Sequence, residues 1–559
     1  MKIRNSQDLI FFISLIILAT ISLFYFFRID LTSDKRYSIS DQTKGLMEKT
    51  YSPLKVTVYL DGDLNPGFLR LKNSTTELLD ELSVYSNNSI DVKYENPSLA
   101  DSPDLREKKY AELQSKGLLP TAVYERDKDG KSIQKVIFPW IEMTYKGKKV
   151  QVCLLKNIQG NSGEENLNIS IENLEFEITD GIRRLVNSEV SKIAFIEGHG
   201  ELSEAETYDI SKSLSKYFQV DRGVIENNAS ILDNYKVIII AKPTKPFKES
   251  DKFIIDQYIM NGGRVLWLLD GVRVSKENLS TSGLSPALEL DLNLNDQLFL
   301  YGVRINPVLL QDVQCASVPV NIAPANATPQ FEPSPWYFAP LLLTSPEHPV
   351  TRNIAEVHSE FCSGIDLVGD NKLVKSQLLL ATSDNTHVIG TPTTIDVSQK
   401  IKPTDKTYFN LGYVPVAVAM EGNFESDFAN RMIPIGLINT LPIKKRSLKT
   451  RQIVIADGDI IRNEITDKDS TAIPLGFDRY MNQQFGNKDF IQNAVLYLAD
   501  NEGWMQLRSR TLKLRLLNKK ITNEDRISWQ LINLLIPISI LLIFGIAYQI
   551  IRKRKYTKQ

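Results

Sequence analysis

Cysteine and histidine are scarce in this sequence. Three cysteines (Cys153, Cys315, Cys362) and four histidines stand among 559 residues, too few for a disulfide scaffold or a Cys-rich zinc module. His348, His358 and His387 are scattered without ligand spacing. Neither sign of charge dominates. Lys+Arg is 66 against 67 Asp+Glu, a net charge of −1, so there is no overall electrostatic footprint for nucleic acid and no nucleic-acid partner is expected. A hydrophobic share of 42% and a charged share of 24% exclude a disordered chain, a collagen-like fibre and a multi-span membrane protein. Catalytic motifs are missing as well. Gly130-Lys131-Ser132 resembles the end of a phosphate-binding loop, but Glu125 stands where its first glycine must be. Without a Walker A motif the chain is expected not to hydrolyse nucleotide. No Gly-x-Ser-x-Gly or Gly-x-Cys-x-Gly elbow is present, so a nucleophilic hydrolase has no candidate. No enzyme activity, catalytic residue or cofactor is expected.

Two long apolar runs are present. Leu9–Phe27 has nineteen residues without a charge, and Leu531–Ile551 follows Trp529 and precedes Arg552-Lys553-Arg554-Lys555. At about 1.5 Å rise per residue each spans most of a ~30 Å hydrocarbon core. The first is too long for a signal-peptide core and reads as an uncleaved anchor. One membrane helix is therefore expected at each end of the chain. The terminal cations favour cytoplasmic ends and the cations just inside the spans favour the reverse. Long domains translocate largely regardless of charge, so the central region is placed outside the cytoplasm, on the inner membrane, with both termini cytoplasmic. Asn533 and Pro537 lie inside the second run, and Arg510, Lys513 and Arg515 lie in the basic stretch before it. These five are the candidate partner-docking residues, because polar groups inside a span need a neighbouring helix and basic segments beside a bilayer meet headgroups or partners.

The fold class is α/β. Leu54–Leu60 alternates as a strand, Phe68–Tyr85 has helical spacing and Ile90–Tyr94 is again a strand. This β-α-β start predicts a thioredoxin-like domain without Cys-x-x-Cys, so without its redox chemistry. Later, Lys192–Ile196, Lys236–Ala241, Arg264–Leu269 and Gln452–Ala456 read as strands separated by helices. That alternation predicts a doubly wound parallel sheet. The predicted organisation is an anchor at 1–28, the thioredoxin-like domain at 29–160 and a linking helix at 161–190. A second α/β domain at 191–505 carries a Pro-rich insertion at 307–349, which cannot be central sheet or helix interior and reads as an ordered excursion or a mobile cover. A basic juxtamembrane segment at 506–528, a span at 529–551 and a basic tail at 552–559 complete it.

Ligands of open α/β sheets bind beyond the carboxyl ends of the strands. Glu197, His199, Asp270, Asp457 and Asp459 are predicted there and form the candidate ligand-binding set. They have the chemistry to hold a divalent cation or a polar ligand. They equally suit tight turns whose side chains satisfy local backbone N–H groups. Gly198-x-Gly200 opens a helix as in dinucleotide-binding loops, but Glu201, Glu204 and Glu206 would repel a pyrophosphate there. Replacing Asp457 and Asp459 together with Asn is expected to leave folding intact but to weaken function if the crevice binds something.

Several segments together resemble a known family. They are Arg28–Ser38 after the first apolar run, Val58–Asp63, Gly198-His199-Gly200-Glu201, Ala456-Asp457-Gly458-Asp459, Gly486–Phe490 and Arg515–Lys519. In this order they resemble the gliding-motility-associated ABC transporter auxiliary component, the GldG family, often labelled substrate-binding. The resemblance implies a non-ATPase subunit working beside a separate ATPase and a separate polytopic permease. It also implies a glutamine-amidotransferase-like, flavodoxin-type domain without the catalytic cysteine. A structural scaffold of the cell envelope, and a degenerate amidotransferase-like or metal-dependent enzyme, remain open alternatives.

Overall fold

A computed structural model describes residues 38–509, apart from 100–101, 127–131, 188–189, 322, 324–327, 329, 370–372, 400–401, 439–441 and 467–470, and also residues 13–14 and 526–556. The chain divides into two compact units, Met1–Arg510 and Thr511–Gln559. Apart from residues 13–14, the predicted span Leu9–Phe27 lies outside the described residues, as do Arg510, Lys513 and Arg515.

The first unit opens with helix α1 (Asp41–Glu48), strand β1 (Leu54–Val58), helix α2 (Pro66–Tyr85), strand β2 (Ile90–Tyr94) and helix α3 (Pro103–Ser115). Each helix starts where its residues dictate. Asn65 caps α2 and Ser102 caps α3, each accepting an orphan backbone N–H, with proline in the first turn. A separate hairpin follows, β3 (Thr121–Arg126) with β4 (Ser132–Ile137). Then come β5 (Trp140–Tyr145), β6 (Lys148–Cys153) and helix α4 (Gly163–Val186). The four-stranded sheet has the order β2-β1-β5-β6, with β1 parallel to β2 and antiparallel to β5.

Helix α4 begins earlier than the periodicity from Leu174 indicates, because Ser162 and Glu165 form a capping box. It is also more than a linker. Leu167, Leu174, Ile178, Ile182 and Leu185 share one buried core with Val56, Leu79, Ile141 and Met143. Gly181 allows that contact, since a Cβ there would lie 2.2 Å from the Met143 methyl and 2.8 Å from Val152. Gly181→Val is expected to destabilise the protein by ~1–3 kcal/mol through overpacking. A urea melt no less stable than native would show that the helix does not press on the sheet.

The larger sheet of the same unit has ten strands. It is built from β7 (Lys192–Glu197), helix α5 (Tyr208–Leu214), β8 (Gln219–Val224), β9 (Tyr235–Ala241), helix α6 (Glu249–Met260), β10 (Val265–Leu268) and helix α7 (Lys276–Ser282). Its later part holds β11 (Cys315–Asn321), β12 (Phe331–Thr344), β13 (Val357–His358), β14 (Val374–Ala381), β15 (Pro415–Gly422), β16 (Thr450–Ile455) and helix α8 (Asn487–Ala499). The path across it is β11-β12-β14-β15-β16-β10-β9-β7-β8. Strands β8, β7, β9, β10 and β16 are parallel. Numbered along the chain they stand in the order 2-1-3-4-5, that of flavodoxin-type doubly wound sheets. Apolar clusters bury both faces, which is why Val237–Ile240 is continuously apolar.

The other half of the sheet is antiparallel, which the alternation of strands and helices did not predict. The Pro-rich insertion supplies two of its strands, an ordered ribbon at the edge of the sheet and not in its centre. Pro319 stands opposite Pro333 on the β11–β12 ribbon, and β12 meets β14 only through Leu343 and Thr344. Two prolines pair in this way only where neither N–H is needed by the ladder, and edge strands permit that. The basic stretch from Arg508 also differs at its first residue. Arg508 is buried, donating to Asn493 Oδ1 and, at 3.1 Å, to the Arg352 carbonyl.

The second unit contains helix α9 (Arg526–Tyr556), with Pro537 inside it and Asn533 a turn earlier. Within Arg526–Arg554 an unburied 18-residue window has a mean hydropathy of 2.4, making this the one helix among the described residues long and apolar enough to cross a membrane.

Candidate functional site

Three of the five predicted site residues converge. Asp270 follows β10, and Asp457 and Asp459 follow β16, at the carboxyl ends of neighbouring parallel strands. What draws them together is Lys242, directly after β9. Its Nζ lies 3.1 Å from Asp270 Oδ2 and also bonds Asp459 Oδ2. Lys242 holds φ 55°, a conformation lysine adopts rarely. Gly458 leaves it room, since a Cβ there would come 2.5 Å from Lys242 Cβ.

The network extends on both sides. Asp459 lies 3.6 Å from Lys276 Nζ and 3.5 Å from Arg462 Nη1. Lys276 bonds Glu360, and Arg462 reaches Glu206 at 2.9 Å. Asp457 is fully buried and accepts from the backbone N–H of Asp459 at 2.7 Å and of Glu360 at 2.8 Å. Asp270 accepts from the Gly458 N–H at 2.6 Å.

The electrostatics follow from burial and neighbours. Burial, with Asp459 and Asp270 nearby, holds Asp457 well above the carboxylate range. Burial also raises Asp270 despite Lys242. Burial opposes ionisation of Asp459 as well, but Lys276 and Lys242 outweigh it and hold that carboxyl well below its ordinary value. Lys242 is held charged by Asp270 and Asp459 against its burial. The donors and acceptors satisfy one another. The cavity that Asp270 lines has about 20 Å³, room for a water and not for a ligand.

The other two predicted residues face elsewhere. Glu197 accepts from Arg222 Nε at 2.8 Å and is drawn toward β8. Arg222 also donates to Thr207 Oγ1 and the Leu202 carbonyl. The His199 ring is buried, 3.7 Å from the Phe247 ring and stacked on it. Its Nδ1 lies 3.0 Å from Glu201 Oε1 and its Nε2 3.0 Å from Asp251 Oδ2. Burial disfavours the charged ring, but its hydrogen bonds to Asp251 and Glu201 prevail and lift its pKa to about 9. Both ring nitrogens therefore donate, and His199 is a buried cation.

The β7–β9 crevice, where chain order reverses, is closed by hydrogen bonds. Thr244 and Lys245 donate their backbone N–H groups to the His199 carbonyl at 2.9 and 2.8 Å, and Leu202 donates to the Ala241 carbonyl. Gly200, at φ 75°, brings its backbone against Thr244, whose hydroxyl donates to the Gly200 carbonyl. Sequence reasoning missed Lys242, Lys276, Glu360, Arg462 and Asp251. The one local signal was a lysine ending an apolar strand at 242; the others are defined only by distant partners. Among the described residues no three His, Cys, Asp or Glu side chains are placed to hold a metal ion. Burial pushes the thiols of Cys153 and Cys362 up, and that of Cys315 to about 12, the reverse of an activated thiolate.

A roomier cleft lies beside the four-stranded sheet. It has about 1190 Å³ and is lined by Phe68, Arg70, Val123, Trp140, Leu155 and Lys156 among others. Sequence patterning gave no sign of it, because a separate hairpin forms one wall.

The strand-end residues and the sheet that carries them fall within residues 191–494, which match the pattern of a family described as an ABC-type uncharacterized transport system. The chain belongs to that ABC transporter auxiliary family. Residues 33–144 match a second family, a domain of unknown function. An uncharacterized protein of Borreliella burgdorferi is 22% identical over 538 residues, covering 95% of this chain and 94% of its own. Among solved structures, the N-terminal domain of mmIFT52 is similar at 13% identity and a TM-score of 0.32, over 56% of this chain and 99% of that one.

Proposed function

We propose that the chain is a membrane-anchored accessory subunit of an ABC transporter linked to gliding motility, leaving ATP hydrolysis to a separate subunit and translocation to a separate permease. The observation that carries this reading is the family match across the larger sheet. The missing first glycine at Glu125 supports the division of labour. On this reading α9 and the Leu9–Phe27 segment anchor the chain in the inner membrane, the folded region lies outside the cytoplasm and both termini lie inside. The order β2-β1-β5-β6 supports a thioredoxin-like first domain, and the 2-1-3-4-5 parallel half supports an amidotransferase-like second one without its nucleophile. Partner contact is supported by the exposed apolar loop holding Met432 and Ile435, 93% and 102% exposed. Cargo contact falls to the cleft lined by Phe68 and Trp140, because the strand-end ions neutralise each other. That closed ion network also favours a second reading, a cell-envelope scaffold without cargo.

Purification of the full chain in mild detergent distinguishes them. An ATPase and a permease are expected to come with it, and deletion of Leu531–Gln559 is expected to lower their recovery at least tenfold. Recovery of envelope proteins alone would establish the scaffold reading. ATP turnover by the isolated chain would overturn both.

A further inference from the structure

A second charged cavity lies at the opposite end of the larger sheet, among the end of α4, the start of β9 and the segment after α8. It has about 250 Å³ and is lined by Arg183, Arg184, Lys216, Lys236 and Trp504 among others. We infer that this cavity binds a phosphate group, either free or carried on a lipid headgroup.

The argument is one of unmatched donors. Arg183 lies over the Trp504 ring, 3.9 Å from its centroid, and Arg184 over Tyr217 at 5.3 Å. Both arginines share one buried carboxylate, Asp180, at 3.5 and 3.1 Å. Asp180 is also held by the Tyr217 hydroxyl, which donates to it at 3.0 Å. The buried Nε of Arg183 has no hydrogen-bond acceptor among the described residues, whereas Arg184 turns its Nε to Asp180. The ammonium groups of Lys216 and Lys236 have neither an ion pair nor a hydrogen bond there.

The carboxylates at the rim do not balance them. Asp500 spends its two oxygens on the backbone N–H groups of Glu502, Gly503 and Met505. Glu502 is exposed and turns to Lys49 at 3.9 Å. Burial and neighbouring cations lower both lysines, Lys488 and Arg184 acting on Lys216, Arg264 on Lys236. A tetrahedral oxyanion supplies acceptors for these lysines and for the free N–H groups of the arginines, and planar guanidinium groups suit phosphate oxygens. The volume fits a phosphate with a few waters. Stacking on Trp504 and Tyr217 fixes the two arginine planes before any ligand arrives, which lowers the ordering cost of binding.

The test uses the full chain in detergent. At matched ionic strength, 20 mM inorganic phosphate is expected to raise Tm by a few degrees over chloride, and Lys216→Ala with Lys236→Ala to abolish the rise. The double variant is expected to keep its Tm in chloride, because neither ammonium has a partner to lose; Lys216→Gln with Lys236→Gln serves as a second version. Nanodiscs of phosphatidylcholine, with and without phosphatidylglycerol, separate the two sources. Slower hydrogen exchange at residues 215–219 and 235–237 only with the anionic lipid identifies a headgroup. A phosphate effect without that protection identifies a free phosphate ligand. A phosphate rise that survives in both double variants, or the absence of both phosphate and lipid effects, overturns the inference.

Discussion

Lys242→Met is expected to lower stability by ~3–5 kcal/mol, the cost of leaving buried charge without its partner. The Lys242 side chain is 18% exposed, and it bonds Asp270 and Asp459, which are 13% and 7% exposed. Lys276 and Arg462 remain beside Asp459 after the change, but Asp270 is left with the Gly458 N–H alone. Lys242→Met with Asp270→Asn is expected to recover part of the loss, since it removes the stranded carboxylate with the lysine. Urea unfolding of the single and double variants measures both. A single variant within ~1 kcal/mol of native would mean that water, not protein, screens these charges. On the same geometry, Asp457→Asn with Asp459→Asn is now expected to lower stability as well. Asp459 is the common partner of Lys242, Lys276 and Arg462, so its charge holds together the strand ends of β9 and β16 and the start of α7.

The second large effect is a dependence on alkaline pH. His199 titrates at about 9 in the fold and near 6.5 in an unfolded chain. A raised folded value means that its contribution is complete below about pH 6.5, declines from there to about 9 and is gone above. After solvent screening is allowed for, the change is about 1–2 kcal/mol. His199→Gln is expected to remove this slope and to destabilise the protein at pH 6, where Glu201 and Asp251 lose their cation. Denaturant midpoints across pH 6–9.5 decide the matter. Equal slopes in native and variant would show that the ring is not protonated at neutral pH.

The local elements were legible because their causes are local. Val237–Ile240 is an apolar run for a strand covered on both faces, Ser203 and Glu206 form their capping interaction before α5, and Gly198 and Gly200 take the left-handed backbone that their turn needs. The placement of Asp270, Asp457 and Asp459 at strand ends was legible for the same reason, since Asp-Gly follows apolar strands in both places. The ion network was not legible. Lys242 and Asp459 are 217 positions apart and Lys276 and Glu360 are 84 apart, and no periodicity links such pairs. Whether the Pro-rich segment is ordered was not legible, because proline forbids a ladder bond only on the side where one is required, and which side is open depends on the neighbouring strand.

By itself the sequence determined the α/β alternation, the apolar character of α9 and the absence of a complete phosphate-binding loop, for each depends on residue types over a short stretch. Tertiary structure alone decided that the strand-end carboxylates face lysines instead of an open crevice, that His199 is a buried cation and that two unpaired lysines meet a pair of arginines at the far end of the sheet. The physical reason is the same in each case. A charge's partner is set by distance in space, and that distance exists only once the strands have taken their order.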